Sequence, residues 1–271
     1  VKSMFSDQDF ANSINMSGVN SINWARIISQ TVYYFYTYFQ YAEKNLYNET
    51  INFSVPTGNF GDVYAGYLAK KMGLPVNKLI VATNNNDILH RAISNGNYEV
   101  KKVFQTLSPS MDIQISSNFE RLIYDLNDFS DKETEKVMTE IKTTGKYKIP
   151  RDKIEKIRKD FLSESLNDSE TKQIMIKLGK HSNAIKVDPH TAIGLGAITK
   201  ILSKNKDSEV NIANTISLAT AHPAKFPEAT KLAYGEVNLP KELKHIMKEK
   251  ENFDIMDKDI KVIKNYILNN I

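Results

Sequence analysis

Between Ile51 and Val55, apolar Ile51, Phe53 and Val55 alternate with polar Asn52 and Ser54, and the run stops at Pro56. A period of two over this length predicts a short strand. Thr57-Gly58-Asn59-Phe60-Gly61 follows as a turn, and the spacing of DVYAGYLAKKMG predicts a helix after it. Lys78 to Thr83 (KLIVAT) has the length and apolar character of a strand in a parallel sheet, which completes a βαβ unit. Upstream, Ile22, Ile27, Ile28, Val32, Phe35 and Phe39 fall near helical spacing, with Tyr33, Tyr34, Tyr36 and Tyr38 among them. They predict a long, mostly buried helix with Ser21 as a candidate N-cap.

Farther along, NNNDILHRAISNG predicts a helix stopped at Gly96, and ERLIYDL predicts another. From Asp131 to Glu170 ten basic and ten acidic residues share the stretch, while Val137, Ile141, Ile154, Ile157 and Phe161 keep helical spacing. That pattern predicts solvated helices in a peripheral lobe. TKQIMIKLGK reads as a helix and AIKVD as a strand. Asp188 and Pro189 are an N-cap and a first helical residue ahead of TAIGLGAITKIL, and Asn214 to Thr220 (NTISLAT) reads as a strand. Two charged helices are expected to close the chain.

Composition narrows the classes. The chain of 271 residues is 41% hydrophobic and 25% charged, ordinary for a globular protein. Its net charge of +4 is spread over both signs with no basic block interleaved with aromatics, so nucleic acid is not an expected partner. No cysteine is present, which removes disulfides, thiolate metal sites and a Cys nucleophile and is compatible with a reducing compartment. The most apolar run, Ile27 to Phe39, falls short of the ~20 residues a membrane span needs. Val1 opens the chain within an amphipathic stretch without an initiator Met, so the sequence is expected to begin partway through a larger protein.

The chemistry concentrates in INFSVPTGNFGD. A strand that turns through Gly58 and Gly61 into a helix aims free N–H groups and the positive end of a helix dipole at one point, as a phosphate requires. An ordinary tight βα turn is the competing reading. The segment lacks the Lys-Ser/Thr of a nucleotide P-loop and the three spaced glycines of a dinucleotide site. Asp62 would repel a phosphate unless its side chain turns away. Asn20, Ser21, Asn23 and Arg26, at the start of the Tyr-rich helix, either bind an anion or cap the helix. If their strands run parallel, Gly58 and Thr220 meet at the carboxyl ends, where ligands gather in open α/β sheets. His90 has no second ligand at helical spacing, and capping leaves His190 unexplained.

NSINWARIISQTVYYF, VPTGNFGDVYAGYLAKKMGLP, TLSPSMDIQISSNFERLIYDL, DPHTAIG and LATAHPAKFPEA occur in this order in threonine synthases, and the chain resembles the C-terminal portion of that family. The resemblance implies an α/β, parallel-sheet fold of the tryptophan synthase β-subunit type (fold type II), a pyridoxal 5'-phosphate cofactor, and cytoplasmic conversion of O-phosphohomoserine and water to threonine and phosphate. Carried over by position, Gly58, Asn59, Phe60, Gly61 and Asp62 hold the cofactor phosphate and Thr220 meets the pyridine nitrogen. Asn20, Ser21, Asn23 and Arg26 hold the substrate phosphate. His190 and Lys225 lie in family motifs without an assigned step.

The expected division is a cofactor-phosphate-binding α/β part over 1–130, a charged, mostly helical peripheral subdomain over 131–182, and a return to the α/β domain with C-terminal helices over 183–271. One departure is large. The family's Schiff-base lysine lies in a Phe-Lys-Asp segment upstream of these motifs, and none occurs in this sequence, so no catalytic residue is expected here. The alternative is a non-catalytic α/β lobe that binds a phosphorylated small molecule or a partner chain.

Overall fold

Every residue of the strand Ile51–Pro56 is buried, including Asn52 and Ser54, so both of its faces are covered and the alternation does not mark a solvent side. The computed structural model describes residues 2–5, 7–18, 20–44, 49–181, 185–204 and 210–270. In chain order the elements are α1 (Lys2–Phe5), α2 (Gln8–Ser13), α3 (Trp24–Lys44), β1 (Ile51–Pro56), α4 (Gly61–Lys71), β2 (Val76–Thr83), α5 (Ile88–Asn95) and β3 (Asn97–Glu99). They continue with α6 (Phe119–Leu126), α7 (Asp131–Thr144), β4 (Lys146–Lys148), α8 (Arg151–Asp160), β5 (Phe161–Ser165), α9 (Asp168–Gly179), α10 (Pro189–Lys204), β6 (Thr215–Ser217), α11 (Pro227–Ala233) and α12 (Ile260–Asn269).

Four strands form one parallel sheet in the order β5-β2-β1-β6, and β3 and β4 pair as a separate antiparallel ribbon. On one face Tyr34 of α3 meets Phe53 edge-on, with ring centroids 4.8 Å apart. On the other, the Ser54 hydroxyl donates to the Gly194 carbonyl of α10 at 2.7 Å. Asn52 joins three strands. Its amide donates to Asn214 Oδ1 at 3.1 Å and Thr215 Oγ1 at 3.3 Å, and its Oδ1 accepts from Asn77 Nδ2 and the Lys78 N–H, each at 3.1 Å. Buried polar side chains persist where they are satisfied in this way.

Several expectations change. α3 is not mostly buried: Ile27, Thr31, Tyr34, Tyr38 and Ala42 turn inward, while Val32, Tyr33 and Tyr36 stay 61 to 66% exposed. Apolar residues on both sides share the same period, so periodicity alone could not choose the inner stripe. Asn23, not Ser21, caps the helix, since its Oδ1 accepts the Ala25 N–H at 2.9 Å and its carbonyl accepts from Arg26. Phe161 ends no helix but begins β5 without an intervening loop, which brings the charged stretch into the main sheet. Of AIKVD, Ala184 lies outside the described residues and residues 185–188 have no regular structure. The strand expected over Asn214 to Thr220 shortens to Thr215–Ser217.

The residues group into two compact units, one of 1–20 with 239–271 and one of 21–238. In the smaller unit Asp7 caps α2 by accepting the Phe10 N–H at 3.1 Å and pairs with Lys264, whose ammonium lies 4.8 Å from the Phe10 ring centroid. Its C-terminal part holds two short 3-10 turns and the single helix α12 instead of two charged helices. No helix among the described residues is long and apolar enough to cross a membrane.

Replacing Asn52 leaves buried partners on β2 and β6 without their hydrogen bonds. Asn52→Ala is expected to lower unfolding free energy by about 2 to 4 kcal/mol. Urea denaturation of the chain measures this, and a loss under about 0.5 kcal/mol would contradict the strand-joining role.

Candidate functional site

Phe60 adopts the left-handed conformation at φ 63° and stands directly before α4. A non-glycine residue there costs on the order of 1 to 2 kcal/mol. Burial of its ring offsets that cost: Phe60 is inaccessible to solvent, 5.4 Å from Phe119 edge-on and 5.8 Å from Phe161. The glycines serve a different purpose from the one their sequence suggests, since neither Gly58 nor Gly61 has a positive φ. A Cβ on Gly58 would lie 3.2 Å from Met111 Cα and the Ser110 carbonyl, and one on Gly61 would lie 3.3 Å from Asn118 Nδ2 and Ile27 Cδ1. Their bareness lets neighbouring segments close on the turn.

Those segments fix the direction of its peptide groups. Ser116 Oγ donates to the Gly58 carbonyl at 2.9 Å, and the Asn118 N–H and Nδ2 both donate to the Asn59 carbonyl at 3.0 Å. In a trans peptide the next N–H points opposite to its carbonyl, so the Asn59 and Phe60 N–H groups face away from Ser116 and Asn118. Among the described residues, the N–H groups of Gly58, Asn59, Phe60 and Gly61 meet no acceptor. They stand at the start of α4, where the helix dipole adds positive potential. Residues 57–62 line a cavity of about 730 Å³. This arrangement fits a phosphate: fixed, unsatisfied backbone donors beside an open space.

β1 and β6 run parallel with Phe53 opposite Ile216, so the chain beyond each strand emerges at the same end of the sheet. Thr220 reaches that cavity, as do Ser21 and Arg26. Arg26 is exposed on the first turn of α3 and, among the described residues, pairs with no carboxylate. Asn23 is not in the lining, and Asn20 lies in the smaller unit. His90 is elsewhere, its Nδ1 3.0 Å from Ser163 Oγ, and Lys225 is exposed on a short 3-10 turn outside the lining.

Residue-by-residue reading missed Ser116 and Asn118. Their signal in the sequence is the polar, Ser-rich stretch before α6, whose side chains tie it to the turn.

Asp62 lines the same cavity from the first turn of α4. It does not cap the helix. The Tyr34 hydroxyl donates to its backbone carbonyl at 2.8 Å and stands 3.2 Å from its Oδ1. Burial pushes its carboxyl up to about 6, and the Tyr34 hydrogen bond only partly opposes this. The same burial, with the Asp62 charge beside it, raises the Tyr34 phenol well above its usual range.

A sequence model described as threonine synthase, C-terminal, matches residues 191–267. The chain is 43% identical to threonine synthase of Saccharomyces cerevisiae and 40% identical to that of Pseudomonas aeruginosa, in each case over 98% of its own length and 55% of the relative's. It superposes with a TM-score of 0.88 on pyridoxal-phosphate-bound threonine synthase of Brucella melitensis, at 40% identity, covering 99% of this chain and 56% of that one. The Escherichia coli threonine synthase structure matches with a TM-score of 0.74 at 27% identity. The chain thus spans about half the length of the relatives it matches. These superpositions bear out the parallel-sheet α/β fold expected from the motifs.

Because the folded carboxyl of Asp62 titrates near 6 and an unfolded one near 3.8, folding takes up a proton between those values and stability falls as pH rises through them. Asp62→Asn is therefore expected to stabilise the chain at pH 7.5 by on the order of 1 to 2 kcal/mol, with the gain vanishing toward pH 4. Thermal unfolding of both proteins across that range checks the sign, and a gain independent of pH would refute it.

Proposed function

We infer that this chain, which belongs with the threonine synthases in sequence and fold, supplies the part of such an enzyme that holds pyridoxal 5'-phosphate and the phosphate of the substrate O-phosphohomoserine. The observation that carries the reading is one cavity with two separate provisions for an anion. Both the N–H groups of the 58–61 turn, which among the described residues meet no acceptor, and Arg26, which among them pairs with no carboxylate, lie in its lining. The whole enzyme would convert O-phosphohomoserine and water to threonine and inorganic phosphate.

The residues divide the work by their chemistry. The N–H groups of Gly58, Asn59, Phe60 and Gly61 take the cofactor phosphate, with direction set by the pinned carbonyls. Asp62 turns toward Tyr34, and above pH 6 it limits how much negative charge the wall tolerates. The Thr220 hydroxyl meets the pyridine nitrogen as a neutral partner, leaving the ring less electron-withdrawing than a carboxylate would. When bound there, the cofactor would supply an electron sink for negative charge on substrate carbon. Arg26, with Ser21 beside it, offers a planar fork to the substrate phosphate. Asn23 belongs to the same proposed phosphate site by position in the family motif. No lysine occurs in the described lining, and the reading leaves the reactive amine to the part of the relatives that this chain does not span.

Two substitutions test the two provisions separately. Gly61→Val should raise the dissociation constant for pyridoxal phosphate at least about tenfold, because the added methyls meet Asn118 and Ile27 and force the turn open. In an enzyme of the relatives' full span, Arg26→Lys should lower kcat/KM for O-phosphohomoserine by about 10 to 100-fold while cofactor absorbance stays intact, since a point charge replaces a bidentate fork. Unchanged cofactor binding in the first variant, or joint loss of cofactor and turnover in the second, would refute the assignment.

A further inference from the structure

Asp188 is completely buried at the head of α10, and its carboxylate is used by two chains of hydrogen bonds that lead to two different segments of the cavity lining. Its Oδ1 accepts from the N–H of His190 at 2.9 Å and of Thr191 at 3.4 Å, which is the capping role read from the sequence. Capping does not account for the remainder. The same Oδ1 lies 2.8 Å from His190 Nδ1, and Oδ2 accepts from the Thr191 hydroxyl. Burial opposes ionisation of Asp188, yet the hydrogen bonds from His190 and Thr191 outweigh it and hold the carboxyl below its usual range.

The first chain leads to the phosphate turn. His190 Nε2 lies 3.3 Å from the Ser110 N–H and accepts it, so the ring proton sits on Nδ1 and is donated to Asp188. Ser110 and Met111 in turn form the surface against which Gly58 closes, with 3.2 Å to the position of an added Cβ. Phe226 packs on the His190 ring at 4.7 Å between centroids and fixes its plane. The second chain leads to the segment after β6. The Thr191 hydroxyl, which donates a hydrogen bond to Asp188, accepts the Thr220 N–H at 3.3 Å. Thr220 is exposed and lies beyond the end of β6.

We propose that Asp188 is a positioning residue that sets the spacing of the cavity, holding the 108–111 segment against the phosphate turn through His190 and the Thr220 backbone through Thr191. The inference rests on the reading of this cavity as the cofactor site. It gives His190 a task that needs no proton transfer to substrate: the ring is a spacer between a carboxylate and a backbone N–H. The two arms are independent beyond Asp188, so each can be cut alone. A merely structural carboxylate would affect both walls together.

The test uses Thr191→Val, which keeps the shape of Thr191 but removes its hydroxyl, Thr191→Ser, which restores it, and His190→Leu, which cuts the other arm. Amide hydrogen exchange is followed at Ser110 and Thr220, and pyridoxal phosphate and inorganic phosphate are titrated separately. Thr191→Val should speed exchange at Thr220 at least about tenfold and shift the absorption or circular dichroism of bound pyridoxal phosphate, with inorganic phosphate affinity unchanged. Thr191→Ser should reverse both effects. His190→Leu should speed exchange at Ser110 and weaken inorganic phosphate several-fold, leaving Thr220 protected. Equal effects of both cuts on both walls, or exchange changes without any change in ligand signal, would overturn the proposal while leaving wild-type binding in place. Failure of the wild-type protein to bind pyridoxal phosphate would instead overturn the site reading and the proposal with it.

Discussion

The site depends on a strained residue that cannot relax. Phe60 holds a left-handed backbone because its ring is locked among Phe119 and Phe161, and those two rings extend the lock to Tyr98, stacked on Phe119 at 5.2 Å, and Tyr67, at 5.3 Å from Phe161. Burying a phenyl ring stabilises by roughly 2 to 3 kcal/mol, more than the strain costs. The cluster draws α4, α6, β3 and β5 toward one turn, so most of the larger unit contributes to the conformation of four peptide groups. Without the lock the turn would relax, and its carbonyls would lose the register in which Ser116 and Asn118 pin them.

The sheet adds a second constraint at its opposite end. Asn52 binds β2, β1 and β6 through four hydrogen bonds near the start of β1, and Ser54 fastens the same strand to α10. These bonds set which residues sit level across the parallel strands. The turn after β1 and Thr220 after β6 therefore emerge side by side. The clamp is placed where the strands enter, at the end of the sheet away from the turn. Gly194 belongs to this arrangement too, since a Cβ there would lie 2.5 Å from Ser217 Oγ and 3.3 Å from Pro56.

Much of this was legible because β1, its turn and α4 carry three agreeing local signals: a period of two, a Pro and Gly break, and helical spacing after it. The parallel pairing of β1 and β6 was conditional in the sequence and required the structure. What stayed hidden has specific causes. Aromatic residues all round α3 left its inner stripe undetermined, and Asn23 outcompeted Ser21 as cap because the helix begins at Trp24. β5 follows α8 with no breaker between them, so Phe161 could continue a helical period as easily as begin a strand. The glycines are points of close approach, but the positive φ falls on Phe60, which no local rule would choose. His190 could be flagged yet not explained, because its partner Ser110 lies 80 positions away in sequence.

The two anion provisions differ in kind, and the difference suits the phosphate that each would hold. Backbone N–H groups are uncharged, immobile and already oriented, so they lose little freedom on meeting a phosphate and suit a group that stays through many turnovers. Arg26 stands on an exposed helical turn with a flexible stem and a full charge. It can reach for a dianion, fork onto two of its oxygens and release it to water, as a phosphate that must leave requires. A second arginine at the turn would bind more tightly but would also compete for the phosphate that the reading places at Arg26. With Asp62 in that wall, ionising near pH 6, the turn lacks a strong positive field of its own. A phosphate carrying no ring has less reason to settle there than at Arg26. On the proposed reading, the Asp62 carboxyl would disfavour a second dianion at the turn.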